Sequence, residues 1–238
     1  MLYRKAYINM PNHITNRLKV EANHQVLATV LAFLRGEPFE DGTPCFIDFN
    51  KIVPMPKGLD IVSSSLGEIG MEYLVTKQKP LFYTQEQRLA VSQFENLPDN
   101  LKDEALRLGR QYLRNIADTN FKDWHGWSVK NWGTKWNAYK QHFEEPNIIW
   151  FATAWSDVSE LIRKVSEKFP DVEFSYAYAD EDTGCNTGSV VFKNGIGEVY
   201  HPVDQSVEAY ELAFELNPDS QQYYELTDTG YSYKKEED

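Results

Sequence analysis

The sequence predicts an α+β fold, an antiparallel or mixed sheet of ferredoxin-like topology with a helical insert packed on it. Three observations predict it. Runs of alternating apolar and polar residues open the chain and fill its last third, as half-buried strands require. The stretch 63–130 between them carries apolar residues at helical spacing and no good strand pattern. Of 238 residues, 42% are hydrophobic and 14% aromatic, enough for a core and too many for a disordered chain.

Element by element, residues 12–22 place Ile14, Leu18 and Val20, with Asn16 among them, against Thr15, Arg17, Lys19 and Glu21. That is a strand with one buried face. Asn23 caps a helix that carries Val26, Leu27, Val30, Leu31, Phe33 and Leu34 and stops at Gly36. Phe46, Ile47, Phe49, Ile52 and Val53 read as a second strand, ended by Pro54 and Pro56, which lack ladder donors. The insert begins at Ser63 or Ser64, which caps a segment carrying Leu66, Ile69, Met71, Tyr73, Leu74 and Val75, with Pro80 beyond. Thr84 starts a short helix, and Pro98-Asp99 opens a long one with Leu101, Ala105, Leu108, Tyr112, Leu113 and Ile116 on one stripe.

Strands return at Lys135–Phe143 and Ile148–Trp155, with Glu-Glu-Pro-Asn as their turn. Asp157 caps a helix with Val158, Leu161, Ile162, Val165 and Phe169 inward. Strands at Val172–Ala179, Ser189–Lys193 and Glu198–His201 follow, the last two joined by the hairpin signal Asn194-Gly195. Ser206 starts a final helix stopped by Asn217-Pro218, and the acidic tail beyond reads as loosely held. The order is β-α-β, helices, then β-β-α-β-β-β-α. Its last portion approximates the split β-α-β plan called ferredoxin-like. The parts are therefore 1–62, a strand–helix–strand; 63–130, the insert; 131–218, the ferredoxin-like region; and 219–238, the tail. The name describes topology alone, since an iron–sulfur cluster needs about four cysteines and the chain has 2.

The net charge is −12, and residues 201–238 hold ten acids against Lys234 and Lys235. Nonspecific grip on nucleic acid relies on Lys and Arg neutralising phosphates, so the charge disfavours a phosphate-driven binder. It suits solubility, or more sharply a surface that mimics DNA before a basic partner. No run of about 18 apolar residues exists to span a membrane. Asn9 and Pro11 break the start before an apolar leader core forms. Cys45 and Cys185 stand far apart and fit reduced thiols in a cytoplasmic protein.

For a site, the densest feature is WHGWSVKNWGTKW, which sets Trp124, Trp127, Trp132 and Trp136 within residues 124–136. Each indole buries roughly 200 Å² and wants a partner for its N–H. The main expectation is a core that cements helices to sheet. The functional alternative is a stacking platform of Trp127, Trp132 and Trp136 with Asn131, Lys135 and Asn137 as polar contacts. FSYAYA sets Phe174, Tyr176 and Tyr178 on one strand face and small residues on the other. If a helix takes the small face, the rings form an outer surface of the kind that holds bases; cross-strand packing is the competing reading.

Catalysis and metal binding find no support. The five histidines are scattered, outside any zinc spacing. Cys185 is a lone thiol, Asp180, Glu181 and Asp182 lack calcium-loop spacing, and GIGEV lacks the third glycine of a dinucleotide fingerprint. No catalytic residue, metal or cofactor is expected.

Three strings, NHITNRLKV, FIDFNKIVPMP and NWGTKWNAY, resemble the Api-like or YubB-like proteins of bacteriophages and conjugative plasmids. The resemblance runs from about residue 12 to about residue 216, and NWGTKW is its most distinctive part. It implies a ferredoxin-like C-terminal region and a mobile-element origin, and it supplies no activity or catalytic residues. The expected function is thus a non-enzymatic binding or regulatory protein of such an element, with a protein partner. The alternatives are a nucleic-acid-associated module using an aromatic sheet face, an acidic DNA mimic, and an enzyme of unrecognised type.

Overall fold

The computed structural model describes residues 12–77 and 84–234. Pro80, the start through Pro11 and the acids of 235–238 lie outside the described residues. In chain order the elements are β1 (His13–Glu21), α1 (His24–Leu34), α2 (Phe49–Ile52), α3 (Ser65–Lys77), α4 (Gln85–Glu95), α5 (Asp99–Thr119), α6 (Trp124–Trp132), β2 (Tyr139–Glu144), β3 (Ile148–Ala154), α7 (Ser159–Lys168), β4 (Glu173–Asp180), β5 (Gly188–Lys193), β6 (Ile196–Tyr200), α8 (Val207–Leu216), β7 (Tyr224–Thr227) and β8 (Gly230–Tyr233). The chain divides into two units, Met1–Pro54 with Trp132–Asp238, and Met55–Asn131.

The first unit is an α+β fold built on a six-stranded sheet of order β2-β3-β1-β4-β5-β6, antiparallel throughout. Because β3 and β4 are both antiparallel to β1, they run parallel to each other. They are joined through α7, with β1 inserted between them, which is a split β-α-β. Ile14, Asn16, Leu18 and Val20 are all buried, and their cross-strand partners include Phe151, Ile149, Phe174, Tyr176 and Tyr178 on the same face. A polar residue at the centre of such a face needs its bonds made internally. Asn16 Nδ2 donates to Ile14 O (2.9 Å), Phe151 O (3.3 Å) and Thr153 Oγ1 (3.0 Å), while its Oδ1 accepts from Tyr176 Oη (2.5 Å). That tyrosine accepts in turn from Val158 N (2.9 Å), tying the start of α7 to the sheet.

Helix α7 lies on this face through Leu161, Ile162 and Val165, and Phe33 of α1 meets Phe169 edge-on at 5.6 Å. On the opposite face α8 packs Ala213 and Leu216 against Ala177 and Ala179. The sheet is therefore sandwiched where β1 and β4 lie. Two caps read from the sequence are in place: Asn23 accepts from Val26 N, and Ser206 from Ala209 N. At α7 the cap position is Val158, and Asp157, one residue earlier, accepts from Ser159 N (2.7 Å).

Two expectations are corrected. Residues 46–53 form no strand; α2 sits there, capped by Asp48. Its preceding loop satisfies its backbone through side chains instead of a ladder: Gln141 Oε1 accepts from Phe46 N (2.7 Å) and Ile47 N (2.9 Å), and Asn137 Oδ1 accepts from Phe49 N (2.9 Å). The tail is also not loose through residue 233. β7 and β8 pair as a hairpin whose Tyr224 and Tyr231 rings lie 5.0–5.7 Å from those of Tyr210 and Phe214.

The second unit is helical. Its helices α3 and α5 cross at glycines: a Cβ on Gly70 would stand 1.8 Å from Ala105 O, and one on Gly109 would stand 2.4 Å from Met71 N. Buried Tyr112 donates to Val62 O (2.6 Å) and accepts from Ser64 N (3.0 Å), pinning the entry to α3 onto α5. Thr84 and Gln87 form a capping box at the head of α4.

Because β1 separates β3 from β4, a fragment of residues 131–218 has two facing edges and nothing between them. It is expected to show no cooperative melt by circular dichroism. Residues 12–54 joined to 132–218 by a short Gly/Ser linker should melt as one unit. A cooperative transition in the shorter fragment would show that β1 is dispensable.

Candidate aromatic–cationic surface

Helix α8 covers the middle of the alanine-bearing face. Thr15 Oγ1 donates to Asn217 Oδ1 (2.6 Å) at its end, and Arg17 pairs with Glu215 (2.6 Å) along its flank. Between this helix and the β2 edge, alternation along β1, β2 and β3 turns a row of polar and aromatic side chains outward. Trp150 is the centre of the row. Its ring lies parallel to that of His142 at 5.7 Å, the Arg17 guanidinium sits 5.6 Å from its centroid, and its Nε1–H donates to Glu144 (2.8 Å). Thr15, Lys140 and Ala152 join them around a shallow cleft of about 380 Å³.

A second group adjoins at the strand ends. Tyr139 stands opposite Ala152, donates to Thr153 O (3.0 Å) and meets His13 Nδ1 (2.5 Å). Trp136 lies edge-on to Tyr139 at 5.9 Å. The Lys135 ammonium is held between two indoles, 4.7 Å from Trp136 and 4.8 Å from Trp155. An ammonium over indole faces gains roughly 0.5–1 kcal/mol per contact at exposed sites. Trp136 is 37% exposed and Trp155 41%.

Local anchors explain why this loop is presented. Gly133 adopts φ +81°, a turn that suits glycine. Thr134 is buried and exchanges two bonds with Ala154, donating to its carbonyl (2.8 Å) and accepting from its N–H (3.0 Å). Asn137 fastens the other end, with Nδ2 donating to Asp48 Oδ1 (2.7 Å). Lys135 and Trp136 are thus held between two fixed points.

Of the nine residues singled out in the sequence, Lys135 and Trp136 reach this surface. Trp132 is buried, edge-on to Phe49 at 5.9 Å, with its N–H donating to Val53 O (2.9 Å). Trp127 is buried in α6, and Asn131 donates to its carbonyl (2.9 Å). Asn137 serves the α2 loop. Phe174, Tyr176 and Tyr178 do not form an outer face: all are buried, because α7 covers them while α8 takes the alanines. Burial, with the Asp157 charge adding to it, pushes the Tyr176 and Tyr178 hydroxyls above the usual tyrosine range. Arg17, Tyr139, His142, Trp150 and Trp155 escaped the sequence reading. For Arg17, His142 and Trp150 the signal is alternation on neighbouring strands, which becomes a surface only once the strand order is known. Tyr139 lies beyond an irregularity in β2 and Trp155 beyond the end of β3 with φ 72°, so alternation does not place them.

Elsewhere, buried Asp180 accepts from Asn12 and Asn186 side chains and from Asp182 N, so it organises the following turn. Burial pushes the Cys185 thiol up, away from the thiolate a nucleophile needs. Cys45 and Cys185 are free thiols. Among the described residues no group of three His, Cys, Asp or Glu could hold a metal, and no helix is long and apolar enough to cross a membrane.

Two measurements follow from this geometry. Trp132→Ala should lose about 3–5 kcal/mol in urea denaturation, as large core truncations do, whereas Trp136→Ala should lose about 1 kcal/mol or less. Equal losses would contradict the division into core and surface. Burial, helped by the Glu181 charge, pushes Tyr139 up to about 12. A raised folded value favours the neutral phenol, so its stabilisation is complete below about pH 10, the ordinary tyrosine range, and is lost as pH rises toward about 12. Stability should therefore fall through that window, less steeply in Tyr139→Phe. An identical alkaline slope in the two proteins would contradict this.

No curated protein matches the chain. Among solved structures, a protein Api92 from Yersinia pseudotuberculosis is similar at 11% identity and a TM-score of 0.41, over 81% of this chain and 99% of that one. Residues 131–218, which run from the end of α6 through α8, match the family model described as the ferredoxin-like domain in Api92-like protein.

Proposed function

We propose that the chain is a non-enzymatic binding protein of a phage or plasmid-type mobile element, and that it holds a protein partner on the surface running from Trp155 through Lys135, Trp136 and Tyr139 to Trp150. The observation that carries this reading is the pair of half-exposed indoles clasping Lys135 on a loop fixed at both ends. Tryptophan, tyrosine and arginine dominate the energetics of protein interfaces, and the two aromatic residues bury large area at low entropic cost. A pre-ordered set of them loses little freedom on binding. The quoted strings that resemble phage and plasmid proteins support the origin.

Nucleic acid is the second reading, favoured by Arg17, Lys135 and Lys140 beside stackable rings. Against it, Glu215 already pairs Arg17, Glu144 adjoins Trp150, and the chain carries −12 overall.

The double variant Trp136→Ala/Trp155→Ala should melt within a few degrees of the parent, as surface changes do, while losing a protein that the tagged parent retains through purification from its host. Retention of that protein by the variant would refute the assignment. A salt-dependent shift with a single-stranded oligonucleotide, abolished by the same variant, would instead favour the nucleic-acid reading.

A further inference from the structure

The two edges of the sheet are finished differently. Along β2, the loop before α2 is held by Gln141, whose Oε1 takes Phe46 N and Ile47 N and whose Nε2 donates to Ile47 O (2.9 Å). The Phe46 ring stacks on Phe143 of the same strand at 5.8 Å, and Lys140 interrupts its regularity with φ 49°. Such covering and distortion keep an edge from pairing further.

β6 has none of these devices. It pairs with β5 on one side and ends the sheet on the other, and all five of its residues are exposed. Ile196 is 75% exposed and Val199 59%. The strand contains no proline and no lysine, and its pairing with β5 runs without a bulge. Isoleucine, valine and tyrosine favour the extended state, so an unpaired row of N–H and C=O groups is presented by residues suited to pairing.

The chemistry of a seventh strand can be read from the two faces. Ile196, Glu198 and Tyr200 alternate onto one face and Gly197 and Val199 onto the other. Glu198 stands across from Val191 and has no ion-pair partner among the described residues. A strand laid alongside is favoured by a lysine or arginine opposite Glu198 and by apolar residues opposite Ile196 and Tyr200. On the other face the buried Phe192 ring of β5 already lies against Gly197, its register partner, where a Cβ would stand 2.7 Å from it, so this face asks only for a strand-favouring residue opposite Gly197. A second copy fits poorly: pairing centred on Glu198 sets two carboxylates face to face, and each copy brings a charge of −12.

We propose that the outer edge of β6 is a docking site for an extended segment of a basic partner protein, added as a seventh strand with a cationic residue opposite Glu198. This site lies at the far side of the sheet from β2 and does not depend on the aromatic–cationic surface.

The probe is a soluble synthetic peptide, Gly-Ser-Val-Thr-Lys-Phe-Val-Ser-Gly, whose central five residues meet these requirements in the antiparallel sense. Added to the full chain at millimolar concentration, it should move the backbone amide signals of residues 196–200. Replacing its lysine by glutamate should weaken binding about fivefold, the upper range of one cross-strand charge pair, and Glu198→Lys should reverse that preference. Amides of β6 that stay in place, or a preference unchanged by Glu198→Lys, would overturn the proposal. So would β6 signals that move with protein concentration alone, which would assign the edge to a second copy.

Discussion

Everything in the sheet unit depends on one insertion: β1 between β3 and β4. Those two strands, parallel and linked through α7, have no hydrogen bonds to each other, and the first strand of the chain supplies both of their ladders. Burying the polar amide of Asn16 at that seam makes the insertion specific. Its four bonds reach β1 itself, β3 and β4, and leave no donor or acceptor idle. A one-residue slip of β1 would take the amide to the opposite face, strand Tyr176, and put Thr15 or Arg17 in the core. The amide thus specifies register where apolar residues alone would tolerate several.

The same insertion bears on the family match. The matched residues 131–218 hold five of the six strands. The missing one is central rather than peripheral. The ferredoxin-like region is complete only with residues that precede it by more than a hundred positions.

Much of this was legible. Period-two alternation gave β1, β4 and β5, and side-chain caps gave the starts of α1, α4 and α8, since those signals are local. Residues 46–53 misled because an apolar run reads alike whether its amides enter a ladder or are taken by a glutamine some 95 positions later. The aromatic alternation of Phe174, Tyr176 and Tyr178 misled for a related reason. Alternation says that three rings share a face and is silent on whether a helix lies over it. Conversely, Trp150 and His142 became neighbours only through the register of β2 against β3, information absent from either segment. Lys135 and Trp136 were visible because the distinctive composition of their loop is local.

The glycine crossing of α3 and α5 has its own consequence. With Gly70 against Ala105 and Gly109 against Met71, the two backbones meet with no layer of side chains between them. Sliding either helix by one position would drive a methyl or larger group into a carbonyl, so the pair has a single seating, like a key in a ward. Heat or denaturant can part these helices, but intermediate slipped arrangements are sterically closed. The helical unit should accordingly lose its order in one step.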